Sequence, residues 1–188
     1  MHYIRMGYQL TARLFLAVNE LLWRSAFAAW GQGSKLGWRT KLGSPQLIRV
    51  GNRVMIGEHA WLNAKDDRQT GEPTLSIGDG TSVGRFSQIN AWGSVTIGKD
   101  VLIGDRVFIS DADHLYMDAD TPIRRQGDSF QGAVSLEDGC WVGVGAVILP
   151  GVSIGRNALV GANAVVTKSV PARAIAVGIP AKVIKQLS

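Results

Sequence analysis

Residues 136–170 read LEDGCWVGVGAVILPGVSIGRNALVGANAVVTKSV, and an aliphatic side chain returns there every six positions: Leu136, Val142, Ile148, Ile154, Val160 and Val166. Four residues after each comes a second, mostly small one: Cys140, Ala146, Val152, Ala158, Ala164 and Val170. Two inward positions in six are too few for a strand alternating at period two, and the interval does not fit a helix of 3.6 residues per turn. It does fit a β-helix, in which each hexapeptide is one short flat face and the chain turns a corner before the next. Many of the 23 glycines fall at those corners, where backbone of positive φ is expected.

The register extends backwards through Val50, Ile56 and Leu62, then Ile77, Val83 and Ile89, then Ile97, Ile103 and Ile109. Three hexapeptides make one turn, so the chain divides into turns at 77–94, 97–114, 136–153 and 154–171, preceded by an incomplete one at 50–67. Two insertions interrupt the count, 65–74 and 115–133, and both leave after the third face. Turns stack at strand spacing, about 4.8 Å, so loops two turns apart emerge roughly 10 Å from each other along one edge and are expected to line a shared cleft.

The length suits a single domain with a real core. One cysteine, Cys140, excludes an internal disulfide and fits a reducing compartment. The net charge of +5 is modest, and nucleic acid is not expected as a partner. The first 45 residues differ from the rest: six basic residues (Arg5, Arg13, Arg24, Lys35, Arg39, Lys41) face one acid, Glu20, with Leu10, Leu14, Ala17 and Leu21 at helical spacing. The pattern predicts an amphipathic helix ending near Gly31. Arg13, Asn19, Glu20 and Arg24 interrupt any membrane span or signal-peptide core, so a cytoplasmic chain is expected. Two roles for the helix stay open: a cap or subunit contact, or peripheral contact of residues 3–30 with the inner face of the cytoplasmic membrane. The expected organisation is a helix and connector over 1–45, an all-β β-helix over 46–177 carrying both loops, and a tail at 178–188.

The register, the loop SDADHLYMDADTPI, the segments WVGVGAVILPGVSIG and VGANAVVTKSVP, and the closing AVGIPAKVIK resemble the hexapeptide-repeat acyltransferases, in the branch of the galactoside and maltose acetyltransferases and the polysaccharide O-acetyltransferases. The resemblance covers roughly residues 45–187. It implies a left-handed coil, against the usual right-handed preference of crossover connections. It also implies a homotrimer with sites at subunit interfaces, and acetyl-CoA in the groove between neighbouring turns.

By that resemblance His114 falls at the catalytic base, which a sugar hydroxyl needs because it is a poor nucleophile at neutral pH. No metal and no covalent intermediate are required. Cys140 is read as core, and His59 as a solvated surface residue. For coenzyme A, Trp141 and Val144 flank the thioester end, Ala162, Thr167 and Lys168 line the pantetheine arm, and Lys182 and Lys185 approach the phosphates, lacking the bidentate fork of arginine. Asp111 or Asp113 is the candidate to orient the imidazole. Asn90 and Trp92 are candidate acceptor contacts, with Trp92 read as an exposed ring for stacking on a sugar. Arg124 and Arg125 could meet an anionic sugar or a diphosphate. The function expected is acetyl transfer to a saccharide hydroxyl in surface polysaccharide or lipopolysaccharide assembly. The alternatives are N-acetyl transfer to an amino or nucleotide sugar or an antibiotic, and a non-catalytic scaffold.

Overall fold

The computed structural model describes residues 24–188; most of the expected N-terminal helix lies outside them. The chain winds as a left-handed parallel β-helix with three sheets as its faces. The first sheet stacks β1 (Ala29–Trp30), β4 (Ile48–Val50), β7 (Leu75–Ile77), β10 (Val95–Ile97), β15 (Val134–Leu136) and β18 (Ser153–Ile154). The second stacks β2 (Lys35–Leu36), β5 (Met55–Ile56), β8 (Ser82–Val83), β11 (Leu102–Ile103), β16 (Trp141–Val142) and β19 (Leu159–Val160), followed by β21 (Ala174–Val177) and β22 (Lys182–Gln186). The third stacks β3 (Lys41–Gly43), β6 (Trp61–Ala64), β9 (Gln88–Ala91), β12 (Phe108–Ser110), β17 (Val147–Ile148) and β20 (Val165–Val166).

Within each hexapeptide the aliphatic residue and the small residue four positions on point inward, and every pair from Ile77 and Thr81 to Val166 and Val170 that stays in the coil is buried. Inward hydroxyls find partners on the next turn: Thr81 Oγ1 donates to the Gly98 carbonyl at 2.8 Å and Ser87 Oγ to that of Gly104 at 3.0 Å. Such bonds remove the cost of burying a polar group. Cys140 is a free, buried thiol, and burial pushes its pKa up to about 12.

The glycine that follows the aliphatic residue has a different reason from the one the sequence suggests. Positive φ at the corners is carried largely by other residues, among them His59, Phe86, Arg106 and Asn163. The post-aliphatic glycines instead let adjacent turns approach: a Cβ on Gly57 would lie 2.6 Å from the Arg85 amide nitrogen, and one on Gly143 2.6 Å from that of Ala162.

The start of the coil departs from the expected boundary. The chain is in strand by Ala29, and a whole turn, β1 to β3, precedes the first one expected. Residues 29–43 therefore belong to the coil, because Leu36 is buried and Ser34 is bonded across turns, donating to the Gly51 carbonyl and accepting from Val54 N–H. At the other end residues 182–186 form β22, which runs antiparallel to β21 and is fully exposed. Ile154 bridges to Val170, and Val165 bonds through its backbone to Gly178 and Ala181.

Candidate active site

After β12 the chain leaves the coil and forms a hairpin of β13 (Ala112–His114) and β14 (Asp128–Phe130), in register Ala112↔Phe130, Asp113↔Ser129 and His114↔Asp128. The tip between them carries one helical turn, α1 (Ile123–Gln126). Gln126 pins that tip, its amide donating to the carbonyls of Asp118 and Thr121 and accepting from Asp118 N–H. His114 is exposed on the last pair of the hairpin, and Arg124 and Arg125 are exposed on α1.

Asp111 sits at the base of the hairpin, fully buried. Its carboxylate accepts the backbone N–H groups of Trp92, Gly93 and Ser94 at 2.8, 2.8 and 2.7 Å. Its carbonyl accepts those of Gln131 and Gly132. Such a group is out of reach of both imidazole and acceptor, so the expectation for Asp111 is corrected: it fastens the hairpin to the corner of the preceding turn. Asp113 is exposed, because the chain has already left the coil, and its Oδ1 accepts the backbone N–H of His114 at 2.8 Å.

The first inserted loop runs beside that same corner. Lys65 N–H donates to the Ala91 carbonyl and Asp67 N–H to that of Trp92, both at 2.9 Å. Lys65 Nζ stands 3.0 Å from Asp67 Oδ1, 3.4 Å from Asp128 Oδ1 and 4.5 Å from the centre of the Trp92 ring. Asp67 Oδ2 accepts the N–H of Phe130 at 3.0 Å, and the Arg68 guanidinium lies 5.8 Å from the Phe130 ring. The Phe130 N–H, followed by the Lys65 ammonium, holds the Asp67 carboxyl below its usual value. The bond to Asp67 correspondingly raises Lys65. The two insertions thus meet, as their shared corner implied. Trp92 is corrected: its ring is half-buried, its indole Nε1 is buried without a partner among the described residues, and an ammonium occupies one face, so it is no open platform for a sugar.

Asn90 is partly exposed on the outer side of β9, beside Asn63 at 3.5 Å and Gln88 at 3.1 Å. These outward amides form a patch suited to hydroxyl groups. Sequence reading singled out Asn90 alone; the others follow once Asn63 and Asn90 are seen to pair across turns. Lys65, Asp67 and Asp128 were also missed. The signal available was a KDD run opening the first loop and an acid closing the second.

The coenzyme candidates divide between two places. Trp141 is exposed on β16 and Val144 at the following corner, with Ala162 one turn further on. Trp141 starts a row across the second sheet, Trp141↔Leu159↔Ile175↔Lys185, that passes from apolar to basic over three strand spacings, about 14 Å. Lys182 lies on the same strand as Lys185. Thr167 and Lys168 are exposed just past β20, on the third sheet. His59, read as solvated, is partly covered, its ring stacked on Phe86 with centroids 4.9 Å apart. The hairpin leaves the edge between the third and first sheets, whereas Val144 and Ala162 mark the edge between the second and third. One face, on the order of 15 Å, separates the two.

Residues 133–168 match the family described as Bacterial transferase hexapeptide (six repeats). A protein of Mycobacterium tuberculosis named as an acetyltransferase is 36% identical over 144 residues, 76% of this chain and 46% of its own. The galactoside O-acetyltransferase of Escherichia coli is 31% identical over 141 residues, 71% of this chain and 64% of its own. The chain thus spans about half to two thirds of the length of these relatives. Among solved structures, a variant of AntD, an N-acyltransferase from Bacillus cereus in complex with dTDP-4-amino-4,6-dideoxyglucose and coenzyme A, superposes with a TM-score of 0.76 at 22% identity, covering 90% of this chain and 89% of that one.

Proposed function

The chain belongs to the hexapeptide-repeat acetyltransferase family, in the branch of the galactoside O-acetyltransferases, and from that premise we propose that it transfers an acetyl group from acetyl-CoA to a saccharide hydroxyl. The observation that carries the reading is His114, exposed on a hairpin that the first inserted loop and Asp111 hold in place. A neutral imidazole takes the hydroxyl proton as the oxygen attacks the thioester carbonyl. The C–O bond forms, the carbonyl electron pair moves to an oxyanion stabilised by hydrogen-bond donors, and its collapse breaks the C–S bond. The imidazolium returns the proton to the thiolate, leaving the enzyme unchanged.

Trp141 and Val144 would flank the thioester end, Ala162, Thr167 and Lys168 the arm, and Lys182 and Lys185 the phosphates. The separation of His114 from Trp141 supports a homotrimer, in which the hairpin edge of one subunit meets the Trp141 edge of the next. The amides of Asn63, Gln88 and Asn90 support a neutral sugar as the reacting group, and Arg124 and Arg125 an anionic part further out. A role in surface polysaccharide or lipopolysaccharide assembly at the cytoplasmic membrane is supported by the basic amphipathic pattern of the N-terminal sequence.

The test is mass spectrometry of methyl glycosides, nucleotide-linked sugars and amino sugars after incubation with isotopically labelled acetyl-CoA. His114→Ala is expected to lose more than about a hundredfold in turnover while keeping its oligomeric state; a small loss would remove His114 as the base. Acetyl found only on amines would favour N-transfer. Failure of acetyl-CoA to raise the melting temperature, with no transfer, would leave a scaffold.

A further inference from the structure

We propose that Lys65 and Asp67 of the first inserted loop are positioning residues for the His114 hairpin, acting through Asp128 and Phe130 of its second strand; the functional meaning of this rests on His114 acting as the base. The coil itself does not require the excursion. From the third to the fourth turn the same corner is closed between Ala91 and Val95, whereas ten residues are spent at 65–74. What those residues do is visible in their contacts, which converge on one strand 63 residues away: Lys65 on Asp128, Asp67 on the Phe130 N–H, and Arg68 on the Phe130 ring.

A two-stranded hairpin of three residue pairs is marginal on its own. Here it is held from both sides. Asp111 fastens its base to the corner at 92–94, the Phe130 ring packs on Gly93, and the loop clasps the outer side of β14. Because β13 and β14 are in register, fixing Asp128 and Phe130 fixes His114 and Ala112.

Residues directly opposite in an antiparallel pair project to one side, with Cβ atoms about 4.5–5.5 Å apart. Asp128 is therefore the carboxylate opposite His114, and the Lys65 ammonium lies 3.4 Å from it and 3.0 Å from Asp67. Lys65 thus holds the residue paired with His114, while Asp67 holds the amide of Phe130 two positions on in the same strand. A base must stand within reach of the proton it removes, so fixing this strand serves the geometry of transfer.

The test compares hydrogen exchange and steady-state transfer in the full chain. Asp67→Ala is expected to speed hydrogen exchange of the Phe130 amide at least about tenfold, with the amides of the coil core unaffected. Lys65→Met and Asp67→Ala are expected to lower kcat at least about tenfold with the KM for acetyl-CoA near the wild-type value, and Lys65→Arg to restore most of the loss. Unchanged exchange at Phe130 in Asp67→Ala, or faster exchange with kcat unchanged, would overturn the proposal. A variant that melts early is replaced by Lys65→Gln, which keeps the length and removes the charge. Retained transfer in His114→Ala would refute the base assignment alone, since the exchange readout does not depend on turnover.

Discussion

Asp111→Ala is the substitution whose cost follows most directly from the geometry. The wild-type carboxylate has no exposed surface and accepts three backbone N–H groups, at 2.7–2.8 Å, from three consecutive residues of the neighbouring turn. Truncation leaves those donors without their acceptor. The Gly93 donor is in the buried part of the corner, whereas the bonds from Trp92 and Ser94 are only part-buried, so water can take over some of their demand. Bonds to an ionised acceptor contribute about 1.5–3 kcal/mol each, less when solvent replaces them. One full loss and two partial ones give about 3–5 kcal/mol. For a chain of this size a kcal/mol moves the midpoint by about 2–4 °C, so a fall on the order of 10 °C is expected. Asp111→Asn should fall between, because its amide cannot accept from both sides of the corner. The assay is thermal or urea unfolding at one fixed protein concentration. A loss below about 1 kcal/mol for Asp111→Ala would refute the argument that this carboxylate holds the corner.

Gly143→Ala should destabilise by about 2 kcal/mol or more, because its Cβ would press on the backbone of Ala162 rather than on a yielding side chain; urea unfolding reads this, and a neutral effect would show that the turns can part. Cys140 should resist alkylation at pH 8 in the folded protein and react on unfolding, since burial raises the thiol to about 12. Between the ordinary thiol value of 9.0 and that raised value the unfolded chain binds fewer protons than the folded one, so stability should decline as pH rises through this window, and Cys140→Ala should flatten the decline.

The coil was legible because burial enforces it: a residue of the wrong size at Ile148 or Ala164 has nowhere to go. The turn at 29–43 was not. Its inward residues Trp30, Leu36 and Leu42 keep the six-residue interval, but Lys35, Arg39 and Lys41 between them group the stretch with the basic N-terminal segment, as a connector. Periodicity cannot tell a lone turn from a short amphipathic stretch. At the site, His114 was legible from its motif, whereas the work of Asp111 was not, since a carboxylate beside a histidine looks the same in sequence whether it faces the ring or a backbone corner. Trp92 failed for a related reason: its cover, Lys65, comes from 27 residues earlier and meets it only through the stacking of turns. Contacts between loops of different turns leave no local pattern to read.

The way the coil finishes has a consequence for the protein in a crowded cell. Stacked parallel turns have no inherent length, and an open last turn would offer a second chain a template of unpaired backbone groups. Each face is closed differently: β22 runs against the direction of the stack on the second sheet, Val170 bridges to the end of the first, and the turn at Gly178–Ala181 occupies the backbone of Val165 on the third. An incoming coil finds one edge of opposite polarity bearing Lys182 and Lys185 and two already bonded. Deleting residues 178–188 should therefore turn a discrete particle into one that grows end to end, and light scattering would show it as filaments.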